Sequence, residues 1–321
     1  MTHHQHPLGS GFGPAATADE VLAGLDLTGK HVIVTGGGSG LGRESARALT
    51  RAGASVTVVS RSAGPPDRLD LMDPDSIDAF AARWRETGRP LDVLINNAGI
   101  PAPGEVRRDG RGNEAQFSTG HLGHFRLTLA LRPALRAAGA AGGARVVNVS
   151  SGAHRFGEIR WDEPNFVHNY HPGAAYAQTK RANVLFAVEL DRRWAADGIR
   201  GYAVHPGVVV GTTLNDGAGR ESLRAQGLID ASGRPIIDPV AGKKTVTQGA
   251  STIVFAAASP LLKGIGGVYL KDNDIAVLDD TVRPLTPDRI PSDACSASID
   301  PESAGRLWEL SEALGVVDRA R

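Results

Sequence analysis

His31-Val-Ile-Val-Thr35, running into Thr35-Gly-Gly-Gly-Ser-Gly-Leu-Gly42 and then the helical stretch Arg43 to Ala52, decides the fold. The short apolar run suits a buried parallel strand. Glycines follow at once and a helix begins behind them. Strand, glycine turn and helix N-terminus make a phosphate cradle, because free backbone N–H groups and the helix dipole face an anion. Gly36, Gly40 and Gly42 allow a tight turn, a close backbone approach and close helix packing, with Ser39 and Leu41 between them. The spacing is Gly-x-x-x-Gly-x-Gly, and with a strand before it and a helix after it the reading is dinucleotide binding.

Downstream, Ser55 to Val59 reads as a second strand ending at Ser60-Arg61. An acidic residue at this place would hold a free ribose 2′-hydroxyl. A hydroxyl and a guanidinium suit a 2′-phosphate instead, so NADP(H) is expected over NAD(H). Ser62 to Arg68 is too short for a crossover helix, and Leu69 to Leu71 reads as a brief third strand. That leaves the adenosine side more open than usual. A helix follows from Asp73 or Asp75 to about Thr87, then a strand from Asp92 to Asn96 that runs into Asn97-Ala98-Gly99.

A long helix is predicted from about Asn113 to Ala138. Its interior Gly120 and Gly123 each cost about 1 kcal/mol relative to Ala, which close contact could offset. His121 and His124 in it read as packing or hydrogen-bonding residues. Arg145 to Val149 is a strand ending in Ser150-Ser151, and the irregular stretch from Gly152 to Pro172 precedes a helix to about Ala196. Further strands are expected at Arg200 to Val204 and Gly267 to Leu270. Between them lie a lid at about 211–240 and a helix from Gly242 to Ala258. A Pro- and Asp-rich extension from about 280 to 321 carries a helix near Pro301 to Leu314. Alternating strands and helices predict an α/β, doubly wound, seven-stranded and mostly parallel sheet with helices on both faces. One such domain is expected over 17–321, behind a flexible tail over 1–16.

Tyr176 and Lys180 sit four residues apart, on one face of their helix. A free phenol has a pKa near ~10, and a nearby ammonium favours its anion. A phenol tuned in this way can exchange a proton with an alcohol oxygen while a hydride moves at carbon.

Composition narrows the partners. The net charge is +0 and no Lys/Arg run stands out, which argues against nucleic acid. No apolar run approaches the ~20 residues of a membrane span. One cysteine, Cys295, precludes an internal disulfide framework and fits a reducing cytoplasm. His3, His4 and His6 read as part of a polar tail, and no metal site is expected. Arg outnumbers Lys, and Ala and Gly are abundant, as in high-GC bacteria.

Together, the glycine turn over 35–42, Asp70-Leu71, Asn96-Asn-Ala-Gly99, Ser151, Tyr176-x-x-x-Lys180 and His205-Pro-Gly207 resemble the short-chain dehydrogenase/reductase superfamily over nearly the whole chain. His121-Leu-Gly-His-Phe125, Val147-Asn-Val-Ser-Ser-Gly-Ala-His154 and Ala182-Asn-Val-Leu-Phe186 are similar to its retinol dehydrogenase and WW-domain oxidoreductase branch. The resemblance implies Tyr176 as general acid–base, Ser151 on the reacting oxygen, and Lys180 beside the phenol and the nicotinamide ribose. It places Asp70 and Leu71 at the adenine, and Asn97, Ala98 and Gly99 along the ribose. Pro206, Gly207, Val209 and Thr212 fall on the nicotinamide side. Where the family has a Thr this chain has Gly211, so Thr212 or Thr213 would meet the carboxamide. Ser150 is the alternative to Ser151.

Gly120 stands where the family has an Asn that supports a proton relay. Its carbonyl could still hold a relay water, in which case Gly120→Asn is tolerated, the outcome expected here. If the space instead serves substrate or a neighbour such as His121, Asn would clash and activity and stability would fall together. The expected activity is hydride transfer between NADP(H) and a largely apolar carbonyl/alcohol substrate. Trp161, Phe166, Leu223 and Ile229 are candidates for the pocket, and a homo-oligomer is possible. The alternatives are a cofactor-binding sensor or scaffold with little turnover, and a nucleotide-sugar epimerase or dehydratase.

Overall fold

The computed structural model describes residues 5–212, 214, 219–287 and 289–316. Seven strands form one sheet: β1 His31–Thr35, β2 Ser55–Val59, β3 Val93–Asn96, β4 Ala144–Val149, β5 Ile199–His205, β6 Val268–Lys271 and β7 Asp274–Ile275. Their spatial order is β2-β1-β3-β4-β5-β6-β7, parallel throughout except for β7. Side chains alternate across the sheet. Val32 and Val34 enter one core with Val147 and Val149, while Ile33 enters the other with Leu94 and Val146.

The first face carries α1 Ala18–Leu22, α2 Gly40–Arg51 and α8 Val246–Ala258. The second carries α3 Pro74–Glu86, α5 Gly123–Ala140 and α6 Pro172–Trp194, with the short α4 Ala115–Phe117 leading into α5. Their starts are set locally: the Asp73 carboxylate caps α3 ahead of Pro74, and Thr17 with Glu20 closes a capping box on α1. Short α7 Arg220–Ala225 lies in the expected lid segment, and α9 Ser296–Ile299 with α10 Pro301–Ser311 forms the C-terminal end. Trp308 of α10 packs among Phe125, Phe186 and Trp194.

Three expectations are corrected. Leu69 to Leu71 is no strand. Only an isolated bridge joins Ser60 to Arg68, and the Asp70 N–H turns away to Ser76 Oγ at 3.0 Å. The seventh strand is instead β7, folded back on β6 by a two-residue turn at Asp272 and Asn273, whose φ values are 51° and 65°. Such a turn needs left-handed residues, which Asp and Asn tolerate.

The long helix over 113–138 is also interrupted. Glu114 caps α4 by accepting the Gln116 and Phe117 N–H groups, and Ser118 to Leu122 forms a wider π-type turn before α5. Gly123 is compensated as expected, since a Cβ there would lie 2.2 Å from the Leu71 carbonyl oxygen.

Finally, the part of the predicted tail that falls within the described residues is docked. The Gln5 amide donates to the Tyr269 and Ala276 carbonyls at 2.9 and 2.6 Å and accepts the Tyr269 N–H at 2.9 Å. Asp274 collects the N–H groups of Leu8, Gly9 and Ser10, and Phe12 meets Phe255 edge-on. Residues 5–16 thus cover the β6–β7 end of the sheet, satisfying backbone groups that an edge would leave bare. Gln5→Ala would leave those groups unpaired, at about 1–3 kcal/mol. Its thermal midpoint should fall by several degrees, at roughly 2–4 °C per kcal/mol for a domain of this size. An unchanged midpoint in a melting experiment would show the docking to be energetically idle.

Candidate active site

A cleft of about 980 Å³ opens at the carboxyl ends of β1 to β5, where such sheets bind ligands. Its first wall is the glycine turn. Gly36 has φ 65°, and a Cβ there would lie 2.9 Å from Ala98 Cα; a Cβ on Gly42 would lie 2.6 Å from the Gly36 carbonyl oxygen. No larger residue fits either place. Ser39 caps α2 in extended conformation without using its hydroxyl, and the first turn carries no acid. This end of the helix suits an anion.

Thr35 joins this wall to the next. Its Oγ1 accepts the N–H groups of Asn97 and Ala98 at 2.9 and 3.0 Å, and Asn97 Nδ2 donates to the Thr35 carbonyl at 2.9 Å. Gly36, Ser39, Gly40, Leu41, Ser60, Arg61, Leu71, Asn97, Ala98 and Gly99 all line the cleft. Gly42 stands behind the turn rather than on the cleft surface. Asp70 does not line it either, because its carboxylate takes the Met72 N–H at 3.0 Å, and Leu69 lines the cleft with Leu71.

At the far end, Ser151, Tyr176 and Lys180 converge on the cleft with Pro206, Gly207, Val209 and Thr212. Thr213 lies outside the described residues. Two histidines fix the serine turn: His154 Nδ1 donates to the Ser151 carbonyl at 2.7 Å, and Gly152 N–H donates to His205 Nδ1 at 3.1 Å. Ser150 is distinguished from its neighbour, since its buried hydroxyl donates to the Lys180 carbonyl at 2.7 Å.

Lys180 is 6 % exposed, and its Nζ donates to the Val149 carbonyl at 3.0 Å while lying 5.4 Å from the centre of the Tyr176 ring. Burial pushes this ammonium down to about 8. Burial also pushes the Tyr176 phenol above its ordinary value, opposed by the Ser151 hydroxyl beside it. The net direction for the phenol is upward, because desolvation of the phenolate outweighs the Ser151 hydrogen bond.

The outer cleft is mainly apolar, walled by Ile100, Pro101, Leu214, Leu223 and Leu228, with Gln226 as a polar exception. Trp161 and Phe166, expected here, pack elsewhere. Phe166 is buried under the Arg160 guanidinium and Trp161 lies under that of Arg306. Ile229 is buried and leaves the lining to Leu228. Thr119 was not foreseen: it lines the cleft, and its buried Oγ1 has no hydrogen-bond partner among the described residues. Its only sequence signal is adjacency to Gly120.

Gly120 itself overturns the expectation of tolerance. A Cβ there would lie 2.6 Å from Thr179 Cγ2. Thr179 cannot swing aside cheaply, because it is buried, β-branched and donates through Oγ1 to the Ala175 carbonyl at 2.8 Å.

Residues 30–222 match the family model for short chain dehydrogenase. Among curated proteins, a "Probable oxidoreductase" of Streptomyces lividans is 43 % identical over 305 residues, covering 89 % of this chain and 97 % of that one. Retinol dehydrogenase 12 of Mus musculus is 36 % identical over 267 residues, covering 77 % and 79 %. Among solved structures, a Beutenbergia cavernae protein described as an NAD(P) dependent gluconate 5-dehydrogenase, with NADP bound at low occupancy, superposes with a TM-score of 0.58. It is 28 % identical, with 77 % of this chain and 96 % of that one covered.

The Gly120–Thr179 contact sets a double-variant test. Gly120→Asn should lose about 1–3 kcal/mol by overpacking, with turnover falling alongside. Adding Thr179→Ser, which removes Cγ2 and keeps Oγ1, should recover much of the thermal midpoint. A single variant as stable as the parent would contradict the clash.

Proposed function

Because the chain belongs to the short-chain dehydrogenase/reductase family of nicotinamide-dependent oxidoreductases, we propose that it moves a hydride between NADP(H) and a largely apolar carbonyl/alcohol substrate. The observation that carries this reading is the convergence of Ser151, Tyr176 and Lys180 between a glycine cradle and an apolar mouth. Bound nicotinamide would supply or accept the hydride at carbon. Tyr176, a phenol protonated at neutral pH, holds the proton that a carbonyl oxygen needs on reduction. Ser151 orients that oxygen by hydrogen bonding. Lys180, still charged below about 8, offers donors to the ribose and a positive charge near the developing alkoxide.

The 2′-phosphate preference is supported by Ser60 and Arg61 lining the cleft at the end of β2, with no Asp or Glu among the described residues that line it. Leu223 and Leu228, on the cleft from within 211–240, support a lid over the substrate. The buried single thiol, Cys295, fits a reducing cytoplasm, and no helix among the described residues is long and apolar enough to cross a membrane.

Turnover should be sought with a panel of aldehydes, ketones and alcohols and both cofactors, followed by the absorbance of reduced nicotinamide. Tyr176→Phe should then lose roughly 10²-fold or more in kcat, with NADPH affinity kept within about threefold. Residual activity above a tenth of the parent would sink the acid–base assignment.

Cofactor choice is tested separately by titration. NADPH should bind at least about tenfold more tightly than NADH, and Arg61→Ala should weaken NADPH alone by about tenfold, the scale of one charge-assisted contact. Equal affinities in the parent protein would contradict it.

A further inference from the structure

One buried imidazole joins the two halves of the cleft without any part in the chemistry above. His124, on the first turn of α5, is 2 % exposed, with Nε2 2.8 Å from Thr35 Oγ1 and Nδ1 3.2 Å from the Gly120 carbonyl. The direction of both bonds follows by elimination. Thr35 Oγ1 has two lone pairs, and both are taken by the Asn97 and Ala98 N–H groups. Its own proton therefore goes outward, to the ring nitrogen at 2.8 Å in preference to the Ile95 carbonyl at 3.3 Å. A neutral imidazole has one N–H. With Nε2 accepting, that proton is on Nδ1 and is donated to Gly120. Burial, with the nearby Lys180 charge, holds the ring's pKa down to about 4, in keeping with a neutral ring at neutral pH.

Both partners matter to the cleft. Thr35 sets the Asn97–Ala98 backbone that faces the ligand space. Gly120 belongs to the π-type turn and packs on Thr179, the residue before Lys180. We infer that His124 is a positioning residue, a neutral two-ended bridge that holds the cofactor cradle in register with the turn packed on the Tyr176–Lys180 helix. Packing alone would be served by an apolar ring; it would not require a specific tautomer with a partner at each nitrogen. The inference rests on the reading that the wall at Asn97 and Ala98 holds the nicotinamide cofactor.

The test uses the full-length protein, NADPH as probe, and three variants. His124→Phe keeps a ring of similar size and removes both bonds. His124→Gln places a terminal amide near the Nε2 position and retains a contact to Thr35. His124→Asn places one near Nδ1 and retains only the Gly120 side. The expected order of NADPH dissociation constants is parent, then Gln and Asn, which each keep one end of the bridge and bind several-fold more weakly, then Phe, about tenfold weaker than the parent. Spectra of isotope-labelled imidazole nitrogens should show His124 protonated at Nδ1 in the parent. If His124→Phe does not fold, the Gln and Asn variants carry the same decision, since each cuts one end of the bridge and is expected to bind NADPH several-fold more weakly than the parent.

The inference is overturned by NADPH binding within twofold of the parent in the Phe variant, or in the Gln and Asn variants alike, and by a ring protonated at Nε2. A lowered thermal midpoint without the affinity order would mark His124 as structural only and also overturn it. A parent protein that binds neither NADPH nor NADH would remove the cofactor reading itself, and this inference with it. Parent binding with an insensitive Phe variant removes this inference alone.

Discussion

At the carboxyl edge of the sheet, the Thr35 hydroxyl joins two walls of the cleft. It ties the end of β1 to the turn after β3 through two backbone N–H groups, and this contact brings Gly36 so close to Ala98 that no Cβ fits between them. The phosphate cradle and the wall at 97–99 are thus one unit. An equivalent pin stands at the end of β4, where the Val149 carbonyl accepts both Lys180 Nζ and Asn183 Nδ2. Functional side chains pinned to strand ends, rather than carried on loops, keep their geometry without a ligand to organise them.

Electrostatically the two ends of the cleft differ. The cradle offers N–H groups and the exposed guanidinium of Arg61, a setting for phosphates still in contact with water. The catalytic end is drier, with Lys180 nearly enclosed and apolar side chains leading outward. Charges interact more strongly there than in bulk water. That dryness is in keeping with desolvation pushing the Tyr176 phenol up.

What was legible in the sequence was what is local or repeats along the chain. Ser55 to Val59 reads as a strand from its residues alone, Asp73-Pro74 announces α3, and the glycine turn declares its own geometry. Most of the candidate site could be read because it sits in short motifs next to strand ends. The rest depends on contacts between distant residues. No local pattern tells that Thr179 occupies the space beside Gly120, or that Phe166 is buried away from the cleft. Nor does one tell that the Asp70 N–H turns to Ser76 instead of extending the sheet. The hairpin at Asp272-Asn273 did leave a signal in its turn residues, but two-residue strands are too short to show a period.

The docked N-terminal segment constrains the order in which this chain can be completed. Gln5 leaves the ribosome well ahead of its partners Tyr269 and Ala276, which lie 264 and 271 positions later. At roughly 5–20 residues per second, the segment waits on the order of tens of seconds before its binding surface exists. Loop-closure entropy then opposes a contact of such long sequence separation. During synthesis the glycine cradle and the first four strands can assemble, while the β6–β7 end that residues 5–16 cover is made only later. The segment over residues 5–16 therefore finds its place only after the strands it covers, and it closes the sheet as a clasp rather than starting it.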